Sequence, residues 1–78
     1  MQSARIRDVA IADEMIRLGQ FLKLAGLAED GGHARALLEA GDVMVNGRDE
    51  ARRGRQLVPG DVVAVGDAKA RVVSSSPW

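Results

Sequence analysis

The 78-residue chain predicts an α+β fold, an αα-hairpin packed on a small, mainly antiparallel sheet. Three observations predict it. Between Arg17 and Gly41 apolar residues recur at helical spacing in two segments, each closed by a glycine. Beyond Gly41 the apolar period drops to two, the mark of a strand with one buried face. Turn signals at Asn46-Gly47, Pro59-Gly60-Asp61 and Gly66-Asp67-Ala68 then divide the remainder into short strands. Helices followed by strands, rather than alternating with them, give an α+β arrangement.

The N-terminal segment is the least determined. Ile6, Val9, Ala10 and Asp13 give a weak helical period, while "RDVAI" pairs equally well as a strand; we read residues 1–16 as an N-terminal strand or extension. From Arg17 to about Ala25 a helix is expected, because Leu18, Phe21, Leu22 and Ala25 fall at i, i+3, i+4 and i+7. Phe21 should be its central core residue, with Gln20 and Lys23 on a different face and Gly26 as the stop. A second helix should start at Asp30 as N-cap and run through "GGHARALLEA" to Gly41. It turns Ala34, Leu37 and Leu38 inward, sets His33 and Arg35 at opposite edges of that face, and points Glu39 outward. Joined by "GLAE", the two form the αα-hairpin. Val43 and Val45 then alternate with Asp42 and Met44 up to Asn46-Gly47, which predicts a type I′ hairpin turn. A strand carrying Leu57 or Val58 should lead into "PGD", "VVAV" should be a short buried strand, and "KARVV" should close the sheet. The domain proper is placed at residues 17–73, and residues 74–78 are read as a disordered tail.

Composition narrows the function. At this length there is one domain, and a hydrophobic content of 46% is enough to give it a core. No apolar run approaches the roughly 20 residues of a membrane span, and "MQSARIRD" lacks the apolar stretch of a signal peptide. A cytoplasmic monomer, away from membranes, is therefore expected. Cysteine is absent, so there are no disulfides and no thiolate ligands. Thr and Tyr are absent too, and the serines, Ser3 and Ser74 to Ser76, lie near the ends, leaving a nucleophile with an adjacent base almost nowhere to stand. A lone His33 does not make a His-based metal site, and neither a P-loop nor a G-x-G-x-x-G occurs. No metal, no cofactor and no enzymatic activity are expected. The acid pairs Asp13-Glu14, Glu29-Asp30 and Asp49-Glu50 read as caps and solvated surface.

Eleven basic residues balance eleven acidic ones, so any electrostatic footprint has to be local. The one dense run is Arg48, Arg52, Arg53 and Arg55, just after the hairpin signal, with a glycine inside "RRGR" that suits a loop lying along a phosphate backbone. Such a run is also what a solvated face looks like. His33, close to a helix start beside Gly31-Gly32, is either a surface histidine or an anion contact. Lys23 and Gln20 read as solvent-facing, and Arg35 makes an i, i+4 pair with Glu39 in the weaker order. Phe21 and Trp78 are the only aromatics, so stacking of single-stranded bases is disfavoured and an RNA partner should be a structured one.

In order, "RLGQFLK", "HARALLEAGDVMVNG" and "RRGRQLVPGDVV" resemble the RNA-binding domain named after small-subunit ribosomal protein S-four. Its pattern falls on Arg17-Leu18, Ala34-Arg35, Gly41 to Gly47 and Gly60-Asp61, so the likeness covers Arg17 to Val65. Two positions depart from it. Gly19 stands where an acid is usual, and Asp30-Gly31 where Ser-Arg is common, which removes one frequent basic contact. The resemblance implies an αL-type RNA-binding motif, whose helices and following hairpin straddle structured RNA. Lys23, His33, Arg35, Arg48, Arg52, Arg53 and Arg55 would then converge on one face. It also implies a non-catalytic binder of ribosomal RNA or tRNA, associated with the ribosome. The rival reading is a protein-interaction adapter docking through its sheet.

Overall fold

The computed structural model describes residues 6–75. It opens with strand β1 (Ile6–Ile11), the short strand β2 (Ile16–Arg17), helix α1 (Leu18–Leu24) and helix α2 (Gly31–Glu39). Five strands follow: β3 (Val43–Val45), β4 (Arg48–Asp49), β5 (Gln56–Leu57), β6 (Val62–Val65) and β7 (Ala68–Ser74). The main sheet has the order β1-β7-β6-β3-β4, while β2 and β5 form a small sheet of their own. Every pairing is antiparallel except that of β1 with β7, so the expected α+β, mainly antiparallel architecture is what the chain adopts. β1 resolves the ambiguity of the N-terminal segment in favour of a strand. Ser74 ends β7 and Ser75 N–H donates to the Ile11 carbonyl; the rest of the expected tail, residues 76–78, lies outside the described residues, as do residues 1–5.

Alternation sorts the main sheet into two faces. Ile11 of β1, Val43 and Val45 of β3, Val63 of β6, and Ala70 and Val72 of β7 belong to the core cluster, with Val9 of β1 and Val65 of β6 partly buried against it. Leu18, Phe21, Leu22 and Ala25 of the first helical segment meet them, with Ala34 and Leu38 from α2 and Leu57 from β5. Phe21 is completely buried, as its helical phase predicts. Lys69 and Arg71 of β7 fall on the opposite face, where Arg71 Nη1 lies 3.3 Å from Asp8 Oδ1 of the neighbouring strand.

The helix ends show why the chain turns where it does. Asp30 caps α2, its carboxylate accepting from His33 N–H at 2.8 Å. Gly41, at φ 77°, ends that helix in the left-handed region. α1 starts differently. It has no side-chain cap, and its first N–H groups are satisfied across the fold: Leu18 N–H by the Arg55 carbonyl at 2.8 Å, Gly19 N–H by the Arg53 carbonyl at 2.9 Å. At its other end the Ala25 carbonyl accepts from the Arg7 guanidinium of β1.

Asn46 (φ 53°) and Gly47 (φ 83°) form the expected type I′ turn between Val45 and Arg48. Asn46 also does a second job. Its amide donates to Asp61 Oδ1 at 3.0 Å and accepts from Val62 N–H at 2.9 Å, while Asp61 Oδ2 accepts from Val58 N–H at 2.9 Å. One side chain thus fastens two turns together.

Candidate nucleic-acid interface

The arginine run begins with an acid, and that acid is buried. Glu50 is only 8% exposed. Its Oε2 accepts from Arg52 N–H at 3.1 Å and from Arg52 Nε at 3.0 Å, and its Oε1 accepts from Arg55 Nη1 at 2.8 Å. The hydrogen bonds from the Arg52 side chain, then those from Arg55 and the Arg52 backbone, hold the Glu50 carboxyl at about 2 against the opposing effect of burial. This corrects the reading of Glu50 as solvated surface, while its neighbour Asp49 is exposed as expected. With Arg52 Nη2 also donating to Oε1 at 3.3 Å, the carboxylate has four charge-assisted or backbone donors, a structural knot that curls the loop after it.

That loop is also tied to α1. The carbonyls of Arg53 and Arg55 serve as the helix's N-terminal acceptors, and β2 pairs with β5 through Arg17↔Gln56 and Ile16↔Leu57. The small sheet therefore sets Arg17 beside the loop, with Arg17 Nη1 3.6 Å from where a Cβ on Gly54 would lie. Between loop and helices opens a hollow of about 340 Å³, lined by Arg17, Gln20, Lys23 and Arg53 with Gly19, Gly31, Ala34 and Gly54. It has three cations and no acid. A smaller hollow of about 180 Å³ lies against it, lined by Arg35, Leu38, Glu39, Ala51 and Arg53. Arg53 lines both.

Of the seven residues expected at the site, Lys23 and Arg53 share the first hollow, and Arg35 joins Arg53 in the second. Arg35 Nε lies 3.4 Å from Glu39 Oε2, an ion pair more than two-thirds exposed on both sides. Arg52 and Arg55 stand on Glu50 and line neither hollow. Arg48, on β4, is exposed and set apart from both. His33 is engaged locally, its Nδ1 accepting from Glu29 N–H at 3.0 Å. Sequence reasoning did not single out Arg17 as a site residue. Its position immediately ahead of the helical period was the available signal, since side chains at a helix start gather around the incoming loop. Gly19 was missed because its partner, Arg53, is 34 residues away, and Glu50 because its burial against Arg52 and Arg55 depends on how the loop folds.

Among the described residues no group of three His, Asp or Glu is arranged to hold a metal, and no helix is long and apolar enough to cross a membrane.

The family model of the S4 domain matches residues 9–73. This chain belongs to the S4 domain family. The match bears out the resemblance carried by Arg17-Leu18, Ala34-Arg35, Gly41 to Gly47 and Gly60-Asp61, and extends it upstream into β1 and downstream into β7. The S4 chain is also 49% identical, over 57 residues, to a protein of Bacillus subtilis (strain 168) described as probable ribosome maturation protein RlbA. That stretch covers 73% of this chain and 80% of the relative. In this S4 domain, the two departures from the pattern both have structural consequences. Asp30 provides the α2 cap, and Gly19 lies directly under Arg53.

Proposed function

We propose that this protein is a non-catalytic RNA-binding protein that grips structured RNA, ribosomal RNA or tRNA, through phosphate contacts. The observation behind this reading is the hollow lined by Arg17, Lys23 and Arg53 without a single acid, in a chain whose charges cancel overall. None of these three cations is in an ion pair among the described residues, so their charge is available to a ligand. Phosphate is the anion for which arginines on a backbone-walled loop are suited, since guanidinium offers paired donors and glycine walls admit close approach. Shape and phosphate recognition also fit the described residues, whose one aromatic ring, Phe21, is buried and cannot stack a base.

Family membership supports the same reading, and so does the relative described as a probable ribosome maturation protein, which favours ribosomal RNA and a cytoplasmic role on or near the ribosome. On this reading Arg35 extends the contact, Arg52 and Arg55 shape the loop, and Arg48 and His33 lie at its margin. The protein acts as a monomer without a cofactor. An electrophoretic shift with protein-free ribosomal RNA at two salt concentrations tests it. Phosphate-driven binding weakens steeply with salt. Binding that is absent, or indifferent to salt, favours the adapter reading, in which the outer face of the main sheet with exposed Ile6 and Met44 meets a protein.

A further inference from the structure

Arg53 holds an unusual place: it separates two hollows and lines both. Without it the second hollow is left with one cation, Arg35, already facing Glu39. A phosphate backbone leaving the first hollow would then meet no net positive charge. The position of Arg53 is fixed from two sides. Its carbonyl accepts from Gly19 N–H at 2.9 Å, which pins the backbone to the start of α1. Its side-chain stem lies across Gly19 itself. A Cβ on residue 19 would sit 2.5 Å from Arg53 Cγ and 3.1 Å from Cδ, closer than packed carbons come. Cγ moves only with rotation about Cα–Cβ, so the clash is relieved by turning the whole side chain away and not by swinging the guanidinium alone, and the carbonyl bond keeps the backbone from backing away.

We propose that Gly19 is a positioning residue for RNA binding. By having no side chain it seats Arg53 between the two hollows, and so joins them into one track for consecutive phosphates, from Arg17 and Lys23 across Arg53 to Arg35. The inference rests on the RNA-binding reading and adds to it the path of the backbone and the residue that makes the path continuous. Gly19 does not touch RNA. Any other residue at position 19 displaces the arginine that does.

The test is a double-mutant cycle on the full chain, with fluorescence anisotropy on protein-free ribosomal RNA at several salt concentrations. Gly19→Ala should weaken binding by about tenfold and reduce the slope of log K against log salt by roughly 0.7–0.9, the signature of one lost phosphate contact. Arg53→Ala should do the same. The combined variant should bind no worse than Arg53→Ala alone, because the glycine acts only through that side chain. A purely structural role for Gly19 would leave the salt slope unchanged. The combined variant has no stem left to strike, so it keeps the fold even if Gly19→Ala alone lowers the melting temperature. Wild-type affinity and slope in Gly19→Ala, or losses that multiply in the combined variant, overturn the proposal while leaving RNA binding intact. Failure of the wild-type chain itself to bind in a salt-dependent way overturns the RNA reading, and this inference with it.

Discussion

Glu50 shows how far one residue's environment departs from what its neighbours in sequence suggest. Its carboxyl, ordinarily near 4.5, is held at about 2 by Arg52 and Arg55. Because the folded value is depressed, the carboxylate's contribution to stability is complete above about pH 4.5 and is lost as pH falls toward 2. Glu50→Gln should therefore cost on the order of 1–3 kcal/mol at neutral pH, since Arg52 and Arg55 lose the charged carboxylate they share and one of its two accepting oxygens becomes a donor NH2. The difference from wild type should shrink as the pH drops through that window. Urea melts at pH 7, 4 and 2.5 measure this, and two curves that stay parallel would show that Glu50 is not the group titrating. Glu39 makes the opposite case. It competes for Arg35 in an exposed pair, which contributes only tenths of a kcal/mol to the fold. Glu39→Gln should leave the melt unchanged and raise RNA affinity a few-fold by freeing that arginine. An affinity that stays put or falls would place Arg35 outside the contact.

Elements were legible in the sequence wherever a local rule decides them. The phase of Leu18, Phe21 and Leu22, the Asp30 cap and the Asn46-Gly47 turn are each written within about eight residues, and each forms as expected. What was not legible is long-range. β1 is a strand because β7, more than fifty residues away, offers it a parallel edge, and no local pattern announces that. β5 pairs with β2 instead of joining the main sheet, which a two-residue strand has no means of declaring. The site divided along the same line. Lys23, Arg35 and Arg53 were visible as charges, whereas the sorting of arginines into hollow-lining and Glu50-bound required three dimensions. At the hairpin the local rule gives a direct test. Gly47 has φ 83° and open space around its missing Cβ, so Gly47→Val meets no neighbour and suffers only backbone strain. It should cost on the order of 1–2 kcal/mol, read as a lowered melting temperature. An unchanged melt would mean the turn relaxes freely to another type, despite the Asn46 clasp to Asp61.

For the whole molecule, the question is how a chain of zero net charge would attract a polyanion. The fold answers by where it puts its acids. Asp8 meets Arg71 on the outer sheet face, Glu50 sits behind the loop, and Asp61 is tied into a turn, while the hollow between α1, α2 and the loop has cations alone. Position, then, and not charge count, should govern binding. The test must avoid Arg52 and Arg55, because removing them strands the buried Glu50 carboxylate and confuses lost affinity with lost fold. Arg17, Lys23 and Arg53 are the clean set. Replacing all three with Gln should flatten the slope of log K against log salt by about two. Lys69 and Arg71, on the far face of β7, give the control: their change to Gln removes two charges and breaks only the exposed pair to Asp8. A protein held to RNA by its overall field would lose affinity in both variants in proportion to the charges removed. A built site loses it in the first and hardly at all in the second. Equal losses per charge would disprove the segregation on which the RNA-binding reading depends.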